Sequence, residues 1–185
     1  AAGARRAIGR ILSTILVLAV LAAGGMAYLH RQEISDHFAA QSFEPSQEML
    51  VLTDSLQLTD TGRRVFFATH PTLDASQRFN EQCADVEHSE EGHILGCFTR
   101  GAIHLFKVTD DRLSGIVEVT AAHELLHAAW ARLGDSARAR LTRSLEKLYD
   151  ELSGEHPALT GRMSVYSSLS GDAFANELIT CSGVS

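Results

Sequence analysis

The rhythm of hydrophobic and polar positions changes sharply near residue 30. From 11 to 29 every residue is uncharged, and only Ser13, Thr14 and Tyr28 are polar. A helix needs about 20 predominantly apolar residues to cross the hydrocarbon core of a bilayer. The run has no polar face, unlike the amphipathic helix of a globular core. In lipid its backbone groups can be satisfied only by a helix, despite Gly24 and Gly25. It therefore predicts one transmembrane helix. A cleaved leader is the rival reading, since Leu21-Ala22-Ala23-Gly24 is the type of stretch that is processed. The apolar run continues past that stretch, which favours an anchor that stays.

Beyond it, residues 30–45 are polar and read as a stalk ending at Pro45. Ser46 then caps a helix to about Leu56, with Met49, Leu50, Leu52 and Leu56 as its apolar face. Thr61-Gly62 marks a turn, and Val65-Phe66-Phe67-Ala68 reads as a short buried strand. Residues 71–83 look helical, with Pro71 near the first turn. A strand follows within 96–108, carried by Ile103, Leu105 and Phe106. Thr109, Asp110 and Asp111 then supply a cap and an acidic first turn for a helix over 114–133. Gly134 stops it. The next helix runs from Asp135 or Ser136 to about Leu152, with Leu141, Leu145, Leu148 and Leu152 at helical spacing. Helical segments over 158–168 and 172–180 complete an α+β domain whose helices dominate its C-terminal half. The expected organisation is a basic N-terminus (1–10), an anchor (11–29), a stalk (30–45) and one domain (46–185).

Charge gives the membrane reading a direction. Arg5, Arg6 and Arg10 precede the apolar run, and every acidic residue follows it. The positive-inside bias puts the N-terminus in the cytoplasm and the C-terminal domain outside. Beyond the run stand 13 basic and 23 acidic residues, a net charge of about −10. Such a domain has no electrostatic footprint for nucleic acid. Cys83 and Cys97 flank a polar loop, and outside the cytoplasm a bridge between them would stabilise by about 3 kcal/mol. Three reduced, buried cysteines are the alternative. Cys181 is left over.

The chemistry concentrates in His123-Glu124-Leu125-Leu126-His127. Residues four apart share a helix face, so both imidazoles can meet one metal ion. Glu124 stands beside the first histidine, placed to take a proton from a water that zinc polarises and to return it to a leaving amine. Two structural histidines are the bland reading, but two histidines and a carboxylate facing a packed apolar surface are costly without a metal or partners. His88 and His93, in the loop between the cysteines, could at most hold a metal adventitiously.

The pattern at 123–127 resembles the zincin metallopeptidases, which implies Zn2+ as cofactor and a peptide or protein substrate. The metzincin continuation is absent, since Trp130 and Leu133 occupy its glycine and histidine places. Asn176-Glu177 resembles the gluzincin pattern, which makes Glu177 the implied third ligand. Cys181 stands where gluzincins often carry an aspartate, and the eight residues after Glu177 hold no His or Tyr. An oxyanion donor would have to come from upstream, where Tyr166 is the candidate. The wider chain is similar to bacterial membrane-anchored proteins of this type. The likeness runs through Phe66-Phe67-Ala68-Thr69-His70-Pro71, Leu95-Gly96-Cys97-Phe98 and Glu118-Val119-Thr120-Ala121-Ala122-His123-Glu124. The expected activity is hydrolysis of peptide bonds outside the cytoplasm. The alternative is a zinc-stabilised binding module at the membrane surface that catalyses nothing. In the first reading the strand over 102–108 could offer its edge to an extended peptide, and a purely structural strand is equally compatible.

Overall fold

A computed structural model describes residues 2–84 and 94–182. Helix α1 (Ala2–Leu29) contains the apolar run and is the one helix among the described residues long and apolar enough to cross a membrane. Its window Leu12–Leu29 has a mean hydropathy of 2.1 and is wholly unburied. The mixed domain that follows is rich in helix around a small three-stranded sheet.

The polar stalk is a correction. Residues 31–42 form a helix, α2 (Arg31–Ser42), that packs along α4 (Asp60–Ala68). Hydropathy could not reveal this, because the residue α2 turns inward is charged. The Asp36 carboxylate is buried and receives Arg132 Nε at 3.0 and 2.9 Å on its two oxygens. Gln32 Nε2 donates to the same carboxylate at 3.1 Å. At the far end of α2 the His70 ring donates to the Ala39 carbonyl at 2.9 Å and stacks on Phe43.

Helix α3 (Gln47–Ser55) begins as its sequence predicts, with Ser46 Oγ accepting from the Met49 N–H at 3.2 Å. The strand expected at 65–68 is instead the last turn of α4, and Thr61-Gly62 lies inside that helix rather than in a turn. Four apolar residues cannot distinguish strand from helix. The cap decides, since Thr59 Oγ1 accepts from the Gly62 N–H and Asp60 opens the first turn. The helix expected over 71–83 divides into β1 (Thr72–Asp74) and α5 (Ser76–Gln82), because Thr72, Leu73 and Asp74 pair with a strand far along the chain.

That strand is β3 (Ala102–Phe106). It pairs in parallel with β1 and antiparallel with β2 (Gly96–Thr99), which it meets through a two-residue turn. Arg100 and Gly101 both take positive φ, 52° and 83°, as a tight hairpin turn of matching twist requires. The order β1-β3-β2 makes β3 the central strand, so the expected free edge at 102–108 does not exist; both its sides are paired. The edges belong to β1 and β2. The Cys83–Cys97 disulfide forms, joining the end of α5 to β2 across a Cα–Cα distance of 6.0 Å. Most of the polar loop between the cysteines, including His88 and His93, lies outside the described residues.

Helix α6 (Ile116–Ala131) starts later than its acidic lead-in suggests. A short turn at Asp111–Leu113 and Gly115, at φ 86°, intervene. Asp110 accepts from the Arg112 N–H rather than capping α6. The helix buries Ala121, Leu125 and Ala128, at i, i+4 and i+7, against Met49, Leu52, Phe66, Ile103 and Leu105. Helices α7 (Asp135–Leu152), α8 (Pro157–Met163) and α9 (Asp172–Ser182) make a second cluster from Met163, Tyr166, Leu178 and Cys181. Leu145 packs against that cluster, whereas Leu148 on the same expected face is exposed. Thr142 Oγ1 donates to Asp172 at 2.8 Å and ties α7 to the first turn of α9.

Asp36 and Arg132 are side chains only 9% and 15% exposed, so removing one strands the other away from water. We expect Asp36→Ala to cost about 2–4 kcal/mol in urea unfolding. A loss under about 0.5 kcal/mol, the scale of a surface pair, would show that α2 is not part of the folded unit.

Candidate metal centre

Helix α6 brings His123, Glu124 and His127 to the side of the domain that meets β2 and α9. The two imidazoles are half-buried and their Nε2 atoms lie 3.1 Å apart, with ring planes at 73°. Two nitrogens bound tetrahedrally at zinc distances stand about 3.3 Å apart, so this pair already has a metal's bite to within a few tenths of an ångström. At 3.1 Å one ring can also donate to the other, provided their tautomers differ.

Glu124 is 6% exposed. Burial, the negative charge of Glu177 and, in the opposite sense, the Phe98 backbone N–H set its pKa, which is pushed up to about 8. The donor from Phe98 places β2 beside this carboxylate. So does Gly96, where an added Cβ would fall 2.5 Å from Thr120 Cγ2 and 3.0 Å from Glu124 Cγ. Only glycine lets the strand come this near the helix. The disulfide holds the next residue of the same strand, Cys97.

Glu177 sits on α9, which packs against α6, and its charge is felt at Glu124. Among the described residues no group of three or more His, Cys, Asp or Glu side chains gathers closely enough to hold a metal ion. The imidazole pair thus fits a metal, while the third position is not drawn together with it. Tyr166 is 5% exposed and packs with Met163, Leu178 and Cys181. Cys181 is free and buried. A separate cleft of about 710 Å3 opens at the other end of α6, lined by Leu52, Leu73, Gly115 and Val117, and none of the three motif residues lines it.

Two contributors to the site escape sequence reasoning, Gly96 and the Phe98 N–H. The signal for the first was the Gly96-Cys97 pair, a glycine at the foot of a short strand. The second is a backbone group and left no trace in the residue types. His104 is not part of the centre; its ring bonds Thr72 Oγ1 at 2.9 Å and burial lowers its pKa. Compared with known protein families, characterised proteins and solved structures, the chain matches none.

Glu124 makes the metal-free chain sensitive to pH. Its proton is lost near 4.5 in the unfolded chain and near 8 in the folded one, so folding takes up a proton between those values. The associated stability is complete below pH 4.5 and is lost as pH rises through 8. We expect Glu124→Gln, neutral throughout, to be more stable than the parent by a few kcal/mol at pH 8 in chelator, and level with it at pH 4.5. Equal denaturation midpoints at pH 8 would mean that Glu124 is solvated. Gly96→Ala should cost about 1–3 kcal/mol by the same measurement, because neither β2 nor α6 can yield without disturbing the core.

Proposed function

We propose that this chain is a membrane-anchored zinc peptidase that acts outside the cytoplasm. The observation that carries this is the 3.1 Å imidazole bite beside the buried carboxylate of Glu124. His123 and His127 hold the metal in this reading, with Glu177 as the third ligand after a side-chain rearrangement. Bound zinc would supply Lewis acidity, polarising a water or a carbonyl.

Glu124 does the proton work. As the carboxylate beside the metal it would take a proton from the polarised water and return it to the leaving amine. The pKa of about 8 belongs to the metal-free site, and a bound cation would favour the charged form that a base requires. The Phe98 N–H fixes the direction of the carboxylate and favours its charged form, so it limits how far burial raises the pKa. Gly96 keeps that donor within reach. The apolar helix α1 supplies the membrane attachment, the arginines ahead of it the orientation, and the disulfide suits an oxidising compartment.

A binding module that uses zinc only for stability needs the histidines but not Glu124. The two part on one substitution. We expect the full chain in detergent to bind one zinc ion, to lose it on His123→Ala, and to keep it on Glu124→Gln while cleavage of a labelled casein falls by about 100-fold or more. Zinc bound by a parent that cleaves nothing would leave the module. No zinc at all would remove both.

A further inference from the structure

Because 31–42 is a docked helix and not a stalk, the distance between α1 and the metal centre is limited. The helical hydrogen bonding runs on through the junction, with His30 N–H donating to Met26 and Ile34 N–H to His30, at 3.0 and 2.9 Å. Asp36 lies seven residues beyond Leu29, about 10 Å along a helix. Its partner Arg132 is the C-terminal cap of α6 and also donates to the Ala128 carbonyl at 2.9 Å. From Arg132 back to His127 is five residues, about 8 Å of the same helix.

With the side chains of the ion pair and the imidazole included, the whole path from Leu29 to the His127 ring is at most roughly 35 Å, whatever the bend at His30. A flexible stalk over 30–45 would reach about 55 Å and swing freely. The strut is also held at its middle and at its far end, by Asp36–Arg132 and by the contacts of His70 with Ala39 and Phe43.

We infer that the metal centre is held within about 35 Å of the bilayer surface, and that its substrates are membrane-tethered chains cut in their juxtamembrane segments. This rests on the peptidase reading for the cutting and on α1 as an anchor for the distance. A scissile bond carried above a rigid domain taller than that reach is excluded. A bond within about ten extended residues of its own anchor is presented directly.

The test uses the full chain with zinc in liposomes. A fluorophore is placed at the start of α7 through Ser136→Cys in a Cys181→Ala background, with acceptor dyes on lipid headgroups. Two reporters share the bilayer, each a disordered casein segment on a transmembrane helix, one joined directly and one through a rigid helical spacer of about 60 Å. We expect strong energy transfer and cleavage of the direct reporter about tenfold or more faster than the spaced one. A flexible Gly-Ser insertion of about 16 residues between Leu29 and His30 should weaken transfer and narrow the gap between reporters. Weak transfer in the parent, or equal cleavage of both reporters, overturns the inference and leaves the peptidase reading intact. Strong transfer with neither reporter cut removes the peptidase reading, and the substrate assignment with it.

Discussion

A carboxylate taken out of water costs several kcal/mol unless it is neutralised or given partners, and Glu124 is buried where α6, β2 and α9 converge. Much of the domain's local architecture can be traced to accommodating that group. Gly96 removes a Cβ that would strike it, Phe98 turns a backbone N–H toward it, and the disulfide ties their strand to α5. Beside it on the helix, Ala121, Leu125 and Ala128 press into the core. Small residues at two of those three positions let the strands and α4 approach the helix closely, which closes water out from beneath the motif. The remaining cost appears as a raised pKa, so burial becomes a chemical property of the site.

The same helix is constrained at its C-terminal end by a charge brought from a distant part of the chain. Arg132 bridges the last turn of α6 and the inward face of α2, its Nε on Asp36 and its Nη1 on the Ala128 carbonyl. A buried ion pair adds little net stability over a well-packed apolar contact, but it is specific in direction and intolerant of being broken. Here that specificity sets how the N-terminal helices meet the domain. Ile34 and Phe38, the larger apolar residues of α2, remain exposed, so hydrophobic burial alone cannot explain why the helix docks as it does.

This division also explains what could be read from the sequence. The motif helix, α3, α7 and the C-terminal helices follow from local signals, namely Ser46 as a cap, the break near Gly134 and leucines at helical spacing. Helix α6 nevertheless ends at Ala131 with Arg132 as its cap, and Gly134 caps the start of α7 instead. The Cys83–Cys97 bridge followed from spacing and the inferred compartment. Reading failed where a partner distant in sequence decided the outcome. Thr72 to Asp74 become a strand because β3 is there to pair with them, and β3 is central because β1 and β2 both find it. Residues 31–42 looked like a stalk because their inward residue is Asp36, whose partner lies 96 positions away. Of the candidate site, the placement of His123, Glu124 and His127 on one helix was legible and their surroundings were not. A backbone donor carries no signature in residue type, and a glycine does not say which distant side chain its missing Cβ makes room for.

The imidazole pair and the carboxylate pair pull the site in opposite directions, and that opposition bears on what a bound cation, as proposed, would do there. His123 and His127 stand close enough for one neutral ring to donate to the other, which satisfies them at the cost of fixing their tautomers. The negative charge of Glu177 raises the pKa of Glu124, so without a cation Glu124 is driven toward its protonated form. Thus the metal-free site is satisfied by two compromises, a ring-to-ring hydrogen bond and a protonated acid. A divalent cation would remove the need for both, since it takes both ring lone pairs and offsets the repulsion between the carboxylates. The bite of 3.1 Å means that the histidines would hardly have to move. The reorganisation would fall on Glu177, the one implied ligand carried by another helix. If the centre holds zinc as proposed, the placement of α9 rather than that of α6 would decide how tightly it does so.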